Sequence, residues 1–262
     1  MTPKMNATVV IAPGGWPLEE FFHPLIKSFQ ERSISAVCKV PSSYPETAEG
    51  QLPVNPDMVY LRENVLLPLV EEGKDVVLLM HSYGGIYGGA AVEGLSKKER
   101  SASQKSGGII ALIFVAAFTA SKGTTAMQAM GIEGDNLPDW IDHDKSTGLV
   151  RLSKAREMLF HDLPEEEATR LANALPAQPY ACFSSPVHYD PYSDPMFSKK
   201  FGYIFTEADR ILPLEAQRMY AEMAGAETFM LKDSSHSAHI ERPGELADAT
   251  IELVKTIGEN VK

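Results

Sequence analysis

Three residues of this chain have the types and positions that nucleophilic catalysis needs. Ser82 comes just after a run of five apolar residues and two positions before Gly84. A buried strand that turns into a helix rich in small residues presents such a serine on a tight turn, with its hydroxyl accessible. Asp209 and His236 each follow a later apolar run. A histidine can take the proton of a serine hydroxyl, and a carboxylate can hold the imidazole in the required tautomer.

The elements that must position these residues predict an α/β domain. Apolar runs alternate with helical patterns, which is typical of a parallel sheet covered by helices on both faces. The carboxyl ends of such strands meet at one edge of the sheet, so the three residues are expected to lie together there. The predicted strands are 8–12, 36–40, 76–80, 108–115, 201–205 and 227–231.

Helices are expected between these strands. Their ranges are 18–32, a stretch that starts at Asp57, the stretch after Ser82, 214–224 and a closing helix from Pro243. Asp57 has the residue type of a helix N-cap, and Pro68 should kink or shorten its helix. The stretches 41–56 and 96–107 are rich in polar residues and read as loops.

The segment 118–200 breaks the alternation of strands and helices. It has no strand-like apolar run, and its helical fragments are predicted at 152–160 and 164–175. We interpret it as a helical lid inserted in a core formed by 1–117 and 201–262; the alternative is a helical excursion whose aromatic residues only pack on the domain. The candidates for contact with substrate are Trp16, Met127, Met130, Trp140, Met158 and Phe183.

Composition limits the classes of partner. The chain has 262 residues and a net charge of −11, and an acidic surface disfavours nucleic acid and anionic membranes. The sequence shows no run long enough for a membrane span, and its first apolar stretch is too short for a signal peptide. Cys38 and Cys182 form neither a disulfide framework nor a metal motif, so we expect buried thiols and a cytoplasmic location.

Four motifs, in this order along the chain, resemble those of the α/β-hydrolases. They are Ala-Pro-Gly-Gly-Trp at 12–16, Met-His-Ser-Tyr-Gly-Gly at 80–85, Glu-Ala-Asp-Arg-Ile-Leu-Pro at 207–213 and Ser-His-Ser-Ala-His at 235–239. The resemblance is strongest to small fungal and bacterial esterase-like enzymes related to plant methyl esterases and hydroxynitrile lyases. It implies a mostly parallel, doubly wound sheet of about six strands, without the first two strands of the family, and a helical lid.

The resemblance also implies a role for each site residue. Ser82 would be the nucleophile, His236 the base and Asp209 the acid, and the N–H groups of Gly15 and Tyr83 would form the oxyanion hole. The expected activity is cleavage of a carboxylic ester or lactone through an acyl-enzyme. We expect neither a cofactor nor a metal, and the expected partner is a small-molecule substrate.

Departures from the family pattern and competing residues leave alternatives open. Met80 replaces the usual glycine of the nucleophile motif, and Pro13 stands where many relatives have histidine. Ser237 stands where hydroxynitrile lyases have lysine, which argues against cyanohydrin cleavage. His239 is an alternative base, and Glu207 is an alternative acid two positions early.

The remaining histidines and the reaction class also have alternatives. His81 is expected to pack beneath the serine turn, and His143, His161 and His188 fall in the lid as surface or substrate-lining residues. The same three catalytic residues would also suit a lyase, a C–C hydrolase or a lactone-forming enzyme of secondary metabolism. A third reading is a ligand-binding protein without catalysis. A homodimer is compatible with the sequence.

Overall fold

A parallel sheet of six strands forms the centre of the computed structural model, which describes residues 6–40, 54–134 and 136–259. Its strand order is β2-β1-β3-β4-β8-β9, and each neighbouring pair runs parallel. The strands in chain order are β1 Thr8–Ala12, β2 Ala36–Cys38, β3 Asp75–His81, β4 Gly108–Val115, β5 Ile141–Asp144, β6 Leu149–Leu152, β7 Gln178–Pro179, β8 Phe201–Thr206 and β9 Glu227–Leu231. The predicted parallel α/β sheet is confirmed.

Helices connect the strands and cover the sheet. They are α1 His23–Glu31, α2 Pro56–Leu61, α3 Leu67–Glu71, α4 Gly84–Ala91, α5 Lys97–Ala102, α6 Ala126–Ala129, α7 Ala155–Leu159, α8 Glu165–Ala174, α9 Tyr180–Ser184, α10 Leu214–Ala224, α11 Ala238–Glu241 and α12 Pro243–Glu259. Short 3-10 turns lie at Glu19–Phe22 and Pro195–Phe197. None of the helices in the described ranges is long and apolar enough to cross a membrane.

The hydrophobic core centres on β3 and β4, whose side chains are buried on both faces. Their register pairs Met80 with Phe114 and His81 with Val115, so both strands end at the same level. The edge strand β9 is partly exposed. A continuous apolar run therefore marks a central strand, as expected for a parallel sheet. Strand β2 is shorter than predicted and ends at Cys38.

Helix capping accounts for two wrong predictions between β2 and β4: Asp57 as the N-cap residue of its helix, and a loop at 96–107. The helix near Asp57 is capped by Asn55, whose side-chain oxygen accepts from the N–H groups of Asp57 and Met58. The stretch 96–107, predicted as a loop, contains α5. Ser96 caps that helix by accepting from the N–H of Glu99, which satisfies an otherwise unpaired donor. The predicted loop at 41–56 falls on 41–53, outside the described residues, and on the cap of α2.

Pro68 changes its helix without ending it. A π-helical turn at Arg62–Leu66 joins α2 to α3, and the N–H of Leu67 donates to the carbonyl of Arg62. Proline has no N–H and its ring crowds the carbonyl four residues earlier. The wider π turn therefore lies at the place where the sequence predicts a kink.

The segment 118–200 contains strands that the sequence did not predict. Strands β5, β6 and β7 form a small antiparallel sheet, in which Ile141 pairs with Leu152 and Leu149 pairs with Pro179. The prediction of helices alone is wrong here because these strands have two to four residues each, and β5 and β6 carry charged side chains. The predicted helical fragments correspond to α7 and α8.

Met80, the residue that departs from the usual glycine, packs against a glycine of α4. Its side chain is fully buried. A Cβ added to Gly88 would lie 3.0 Å from Met80 Cγ, 3.1 Å from its Sδ and 3.3 Å from Ala12 Cβ. Because Gly88 has no side chain, it leaves the space that the Met80 side chain occupies next to α4.

We expect the substitutions Met80→Ala and Gly88→Ala to be coupled. Each alone should destabilise the protein, by about 2–5 kcal/mol for the cavity at position 80 and by about 1–3 kcal/mol for overpacking at position 88. The double variant should be more stable than the sum predicts, by about 0.5–3 kcal/mol, because the new methyl group occupies vacated space. Urea unfolding of the four proteins measures this.

Gly89→Ala is the control, because its Cβ would meet nothing closer than 3.5 Å. It should be neutral or stabilising, since alanine favours the helix. Strict additivity of the two tested substitutions would show that Gly88 does not accommodate Met80.

Candidate active site

Ser82 lies on the turn between β3 and α4 in a strained backbone conformation. Its φ angle is +54°, in the left-handed region that residues with a Cβ rarely adopt. The backbone of the turn is held by the N–H of Ser82, which donates to Val115, and by the N–H of Phe118, which donates to Ser82. Such strain persists only where surrounding contacts impose it, and it is common at functional sites.

The glycines after Ser82 allow α4 to approach the strand ends. A Cβ on Gly84 would lie 2.2 Å from the carbonyl oxygen of Ala12 and 2.6 Å from that of Pro13. A Cβ on Gly85 would lie 2.2 Å from the carbonyl oxygen of Phe118. Since no side chain fits at these distances, the serine turn requires glycine at both positions.

Asp209 lies in the turn after β8 and is buried. Its Oδ1 accepts from the N–H groups of Ile211 (2.8 Å) and Leu212 (2.9 Å), and its Oδ2 accepts from the hydroxyl of Thr206 (3.0 Å). The same Oδ2 lies 2.7 Å from Nδ1 of His236. Burial raises the pKa of the Asp209 carboxyl, but His236 and the two N–H groups outweigh that effect, so the net pKa is below its ordinary value.

The carboxylate of Asp209 fixes the tautomer of His236. Because an ionised carboxylate only accepts hydrogen bonds, Nδ1 of His236 must carry the proton and donate it. When the ring is neutral, Nε2 is therefore its basic nitrogen. His236 is 2% exposed and lines the same cavity as Ser82. The structure therefore brings all three predicted residues to the carboxyl edge of the sheet.

His81 connects the serine strand to the histidine loop. Its Nε2 lies 2.8 Å from the backbone carbonyl of His236, to which it donates. Burial, with a smaller effect from the charge of His236, lowers the pKa of His81 to about 3. His81 is therefore neutral near pH 7; it is buried, as the sequence predicts, but it also lines the cavity that contains Ser82.

The alternative base and acid have other contacts. His239 stacks on Phe22, with ring centroids 4.2 Å apart and an interplanar angle of 10°, while the Asp209 carboxylate bonds to His236. Glu207 accepts from the backbone N–H of Asp233 at 3.2 Å. The geometry therefore pairs Asp209 with His236, and neither His239 nor Glu207 takes part in that pair.

A mostly apolar cavity lies above Ser82 and His236. Its volume is about 60 Å³, enough for a few atoms of a ligand. Gly15 and Tyr83, the predicted oxyanion-hole residues, both line it. The other lining residues are Gly14, Trp16, Pro17, Leu18, Phe21, Phe22, His81, Phe118, Met130, Trp140, Leu159, Phe160, Leu175, Phe183, Ile211, Ser237 and His239.

Four of the six candidates for substrate contact line this cavity, namely Trp16, Met130, Trp140 and Phe183. Met127 and Met158 do not; Met127 is 6% exposed and belongs to the hydrophobic core. The described histidines of the segment 118–200 are also absent from the lining: His143 stacks on Tyr180, His188 pairs with Glu93, and His161 borders a separate surface pocket.

Gln178 is a buried residue of the site that the sequence analysis missed. Its Oε1 accepts from the backbone N–H of Trp16 at 2.7 Å, and its Nε2 donates to Asp57 Oδ2 at 3.0 Å. Asp57 also accepts from the hydroxyl of Tyr83 at 3.1 Å. This network joins the loop of Gly15 to the residue after Ser82. No sequence signal marked Gln178, because glutamine has no characteristic pattern and lies 162 residues from its partner Trp16.

The buried histidines should make the fold sensitive to acid. Burial, with smaller effects from the neighbouring His81 and His236, lowers the pKa of His239 well below its ordinary value. Above about pH 6.5, His239 is neutral in both the folded and the unfolded chain. Below that pH, it binds a proton only in the unfolded chain. The free energy of unfolding should therefore fall from pH 8 to pH 5 by about 2 kcal/mol for this residue.

His239→Met should remove that contribution and flatten the pH dependence accordingly, as measured by urea unfolding at pH 8, 6.5 and 5. His188→Met is the matched control, because the His188 side chain is 44% exposed. Equal pH slopes for His239→Met and the wild type would contradict the neutral, buried state of this ring.

Comparison with known proteins finds relatives that match most of the chain. The chain is 22% identical to the alpha/beta hydrolase nvfD of Aspergillus novofumigatus over 91% of this chain and 93% of that protein. Its fold is similar to a polyneuridine aldehyde esterase (TM-score 0.68, 17% identity, 94% of this chain and 98% of that chain). It is also similar to a pyrethroid hydrolase from Sphingobium faniae JZ-2 (0.68, 18%, 97% and 99%).

A methylesterase from Arabidopsis has the same fold, with a TM-score of 0.63 and 19% identity over 95% of this chain and 99% of that chain. At these identities the solved structures establish the fold. Residues 9–249 match the family described as the alpha/beta hydrolase family, which covers both the serine turn and the Asp209–His236 pair. The chain belongs to the alpha/beta hydrolase family.

Proposed function

We propose that this protein is a serine hydrolase that cleaves a carboxylic ester through an acyl-enzyme. The observation that carries the proposal is the buried pair of Asp209 and His236, 2.7 Å apart, whose imidazole lines the same cavity as Ser82 on its strained turn. A serine hydroxyl, a neutral imidazole and a carboxylate that fixes its tautomer are the groups that acyl transfer needs.

The residues divide the reaction between them. Nε2 of His236 takes the proton as Ser82 Oγ attacks the ester carbonyl, and the Asp209 carboxylate stabilises the resulting imidazolium. The N–H groups of Gly15 and Tyr83 stabilise the negative charge on the carbonyl oxygen. His236 then protonates the departing alcohol, and in the second half it activates the water that releases the acid.

The cavity and the relatives support an ester as the substrate. Its lining is mostly apolar, which favours an uncharged ester with apolar groups over a charged one. Three similar structures are named as an esterase, a methylesterase and a pyrethroid hydrolase. The substrate is proposed to be a small molecule, with no cofactor in the reaction.

The segment 118–200 is proposed to act as a lid that selects the substrate. It supplies Met130, Trp140 and Phe183 to the cavity wall, whereas Ser82, Asp209 and His236 come from the sheet and its adjoining turns. Exclusion of water from the ester by these side chains would strengthen the electrostatic interactions around the carbonyl.

Ser82→Ala and Asp209→Asn should each lower kcat for a simple aryl ester by about 10³-fold or more, because the nucleophile or the tautomer is lost. A fluorophosphonate probe should modify the wild type at Ser82, as located by mass spectrometry, and should leave Ser82→Ala unmodified. Ser101→Ala, at an exposed position of α5, is the matched control. Residual activity of Ser82→Ala within about tenfold of the wild type would refute the nucleophile assignment.

Gln178→Leu should lower kcat by roughly 10²-fold while changing KM little. The reason is that Gln178 holds the Trp16 peptide beside Gly15 but does not line the cavity, so its loss displaces an oxyanion donor without removing a substrate contact. The protein should also be less stable, since the buried Trp16 N–H loses its acceptor. Steady-state kinetics and urea unfolding measure both effects.

Gln30→Leu, on the exposed face of α1, is the control for the same side-chain change. A rise in KM with an unchanged kcat would show that Gln178 shapes the binding site instead of the oxyanion hole.

A further inference from the structure

Two histidines of the cavity have ring nitrogens without hydrogen-bond partners. His81 and His239 line the cavity and are 8% and 5% exposed, and Nδ1 of each is enclosed with no partner among the described residues. Buried polar atoms are paired in the great majority of cases, so each exception needs a reason. The proposed reaction uses Ser82, His236 and Asp209 and leaves both nitrogens unused.

The rings of His81 and His239 form a cluster with that of His236. His239 lies on α11 and is clamped by its stacking on Phe22. The ring of His81 lies 4.7 Å from that of His239 and 4.8 Å from that of His236, measured between centroids. His239 thus lies next to His81, and both line the cavity that contains Ser82.

The donors and acceptors of the two rings indicate which chemical group of a ligand they would bind. His81 donates from Nε2 to the carbonyl of His236, so its Nδ1 can only accept. His239 is a neutral ring and offers one donor and one acceptor. A hydroxyl group both donates and accepts and therefore suits this pair. A carboxylate does not, because it would face the lone pair of His81.

We propose that His239, supported by His81, forms a polar subsite that binds a hydroxyl group of the ester substrate. This inference rests on the proposed ester hydrolysis and specifies its substrate as a hydroxy ester. His239 is then a residue that determines specificity, because it binds a group of the substrate away from the reacting carbonyl.

The test compares matched esters with and without a hydroxyl group. One series consists of methyl hydroxyhexanoates, with the hydroxyl moved along the acyl chain, against methyl hexanoate. A second series places the hydroxyl in the alcohol part, as hydroxybutyl hexanoates against butyl hexanoate. The readout is the ratio of kcat/KM between hydroxy and deoxy esters for each protein, so a general loss of activity cancels.

For at least one position of the hydroxyl, the wild type should prefer the hydroxy ester by about fivefold to tenfold, as expected for one hydrogen bond. His239→Met should reduce this ratio to about one, whereas His239→Gln, which keeps a donor and an acceptor, should retain part of it. His143→Met, outside the cavity, should keep the ratio of the wild type.

A wild type without a preference at any hydroxyl position would overturn the inference, and this result needs no variant to fold. A preference that survives in His239→Met and disappears in Ser237→Ala would assign the hydroxyl to Ser237, the neighbouring hydroxyl side chain, and would also overturn it. Failure of the proposed function is distinguishable, because it would appear as deoxy-ester turnover that persists in Ser82→Ala.

Discussion

The close approach of α4 to the ends of β1 and β4 is the constraint on which the site depends. Gly84 lies against the carbonyls of Ala12 and Pro13, and Gly85 lies against the carbonyl of Phe118. With both glycines so close, the chain can leave β3 only through a sharp turn, and Ser82 must accept a φ of +54°. The strain of one residue is thus imposed by backbone packing on either side, and that packing is also what holds the hydroxyl above the sheet edge.

Burial sets the charge states around this turn. His81 and His239 lie in an apolar environment that lowers their pKa values, so they remain neutral beside His236. Asp209 is equally buried, but His236 and two backbone N–H groups keep its carboxyl ionised. Among the described residues, His236 alone of the three clustered imidazoles has a carboxylate partner, and in the proposed acyl transfer that partner determines which ring can stabilise a positive charge.

The sequence could predict those parts of the molecule that depend on short-range patterns. Apolar runs mark the six strands of the main sheet, and the residues that follow them, Ser82, Asp209 and His236, meet at one edge because parallel strands end there. The small sheet β5–β7 could not be predicted in this way, since its strands are short and two of them carry charged side chains. Gln178 could not be predicted at all, because its role depends on a contact across 162 residues.

The position of Gln178 connects the segment proposed to select the substrate with the loop proposed to stabilise the oxyanion. It belongs to β7, in the segment that also supplies Trp140 and Phe183 to the cavity wall, yet its side chain holds the backbone of Trp16 beside Gly15. Trp16 itself has a positive φ of +54° and donates its indole N–H to Val150 of β6. The loop proposed to carry an oxyanion donor is therefore held by hydrogen bonds to β6 and β7 of the small sheet. A displacement of that sheet would alter the cavity wall and the proposed oxyanion backbone together, so the contacts that shape the pocket would also govern how well it stabilises charge.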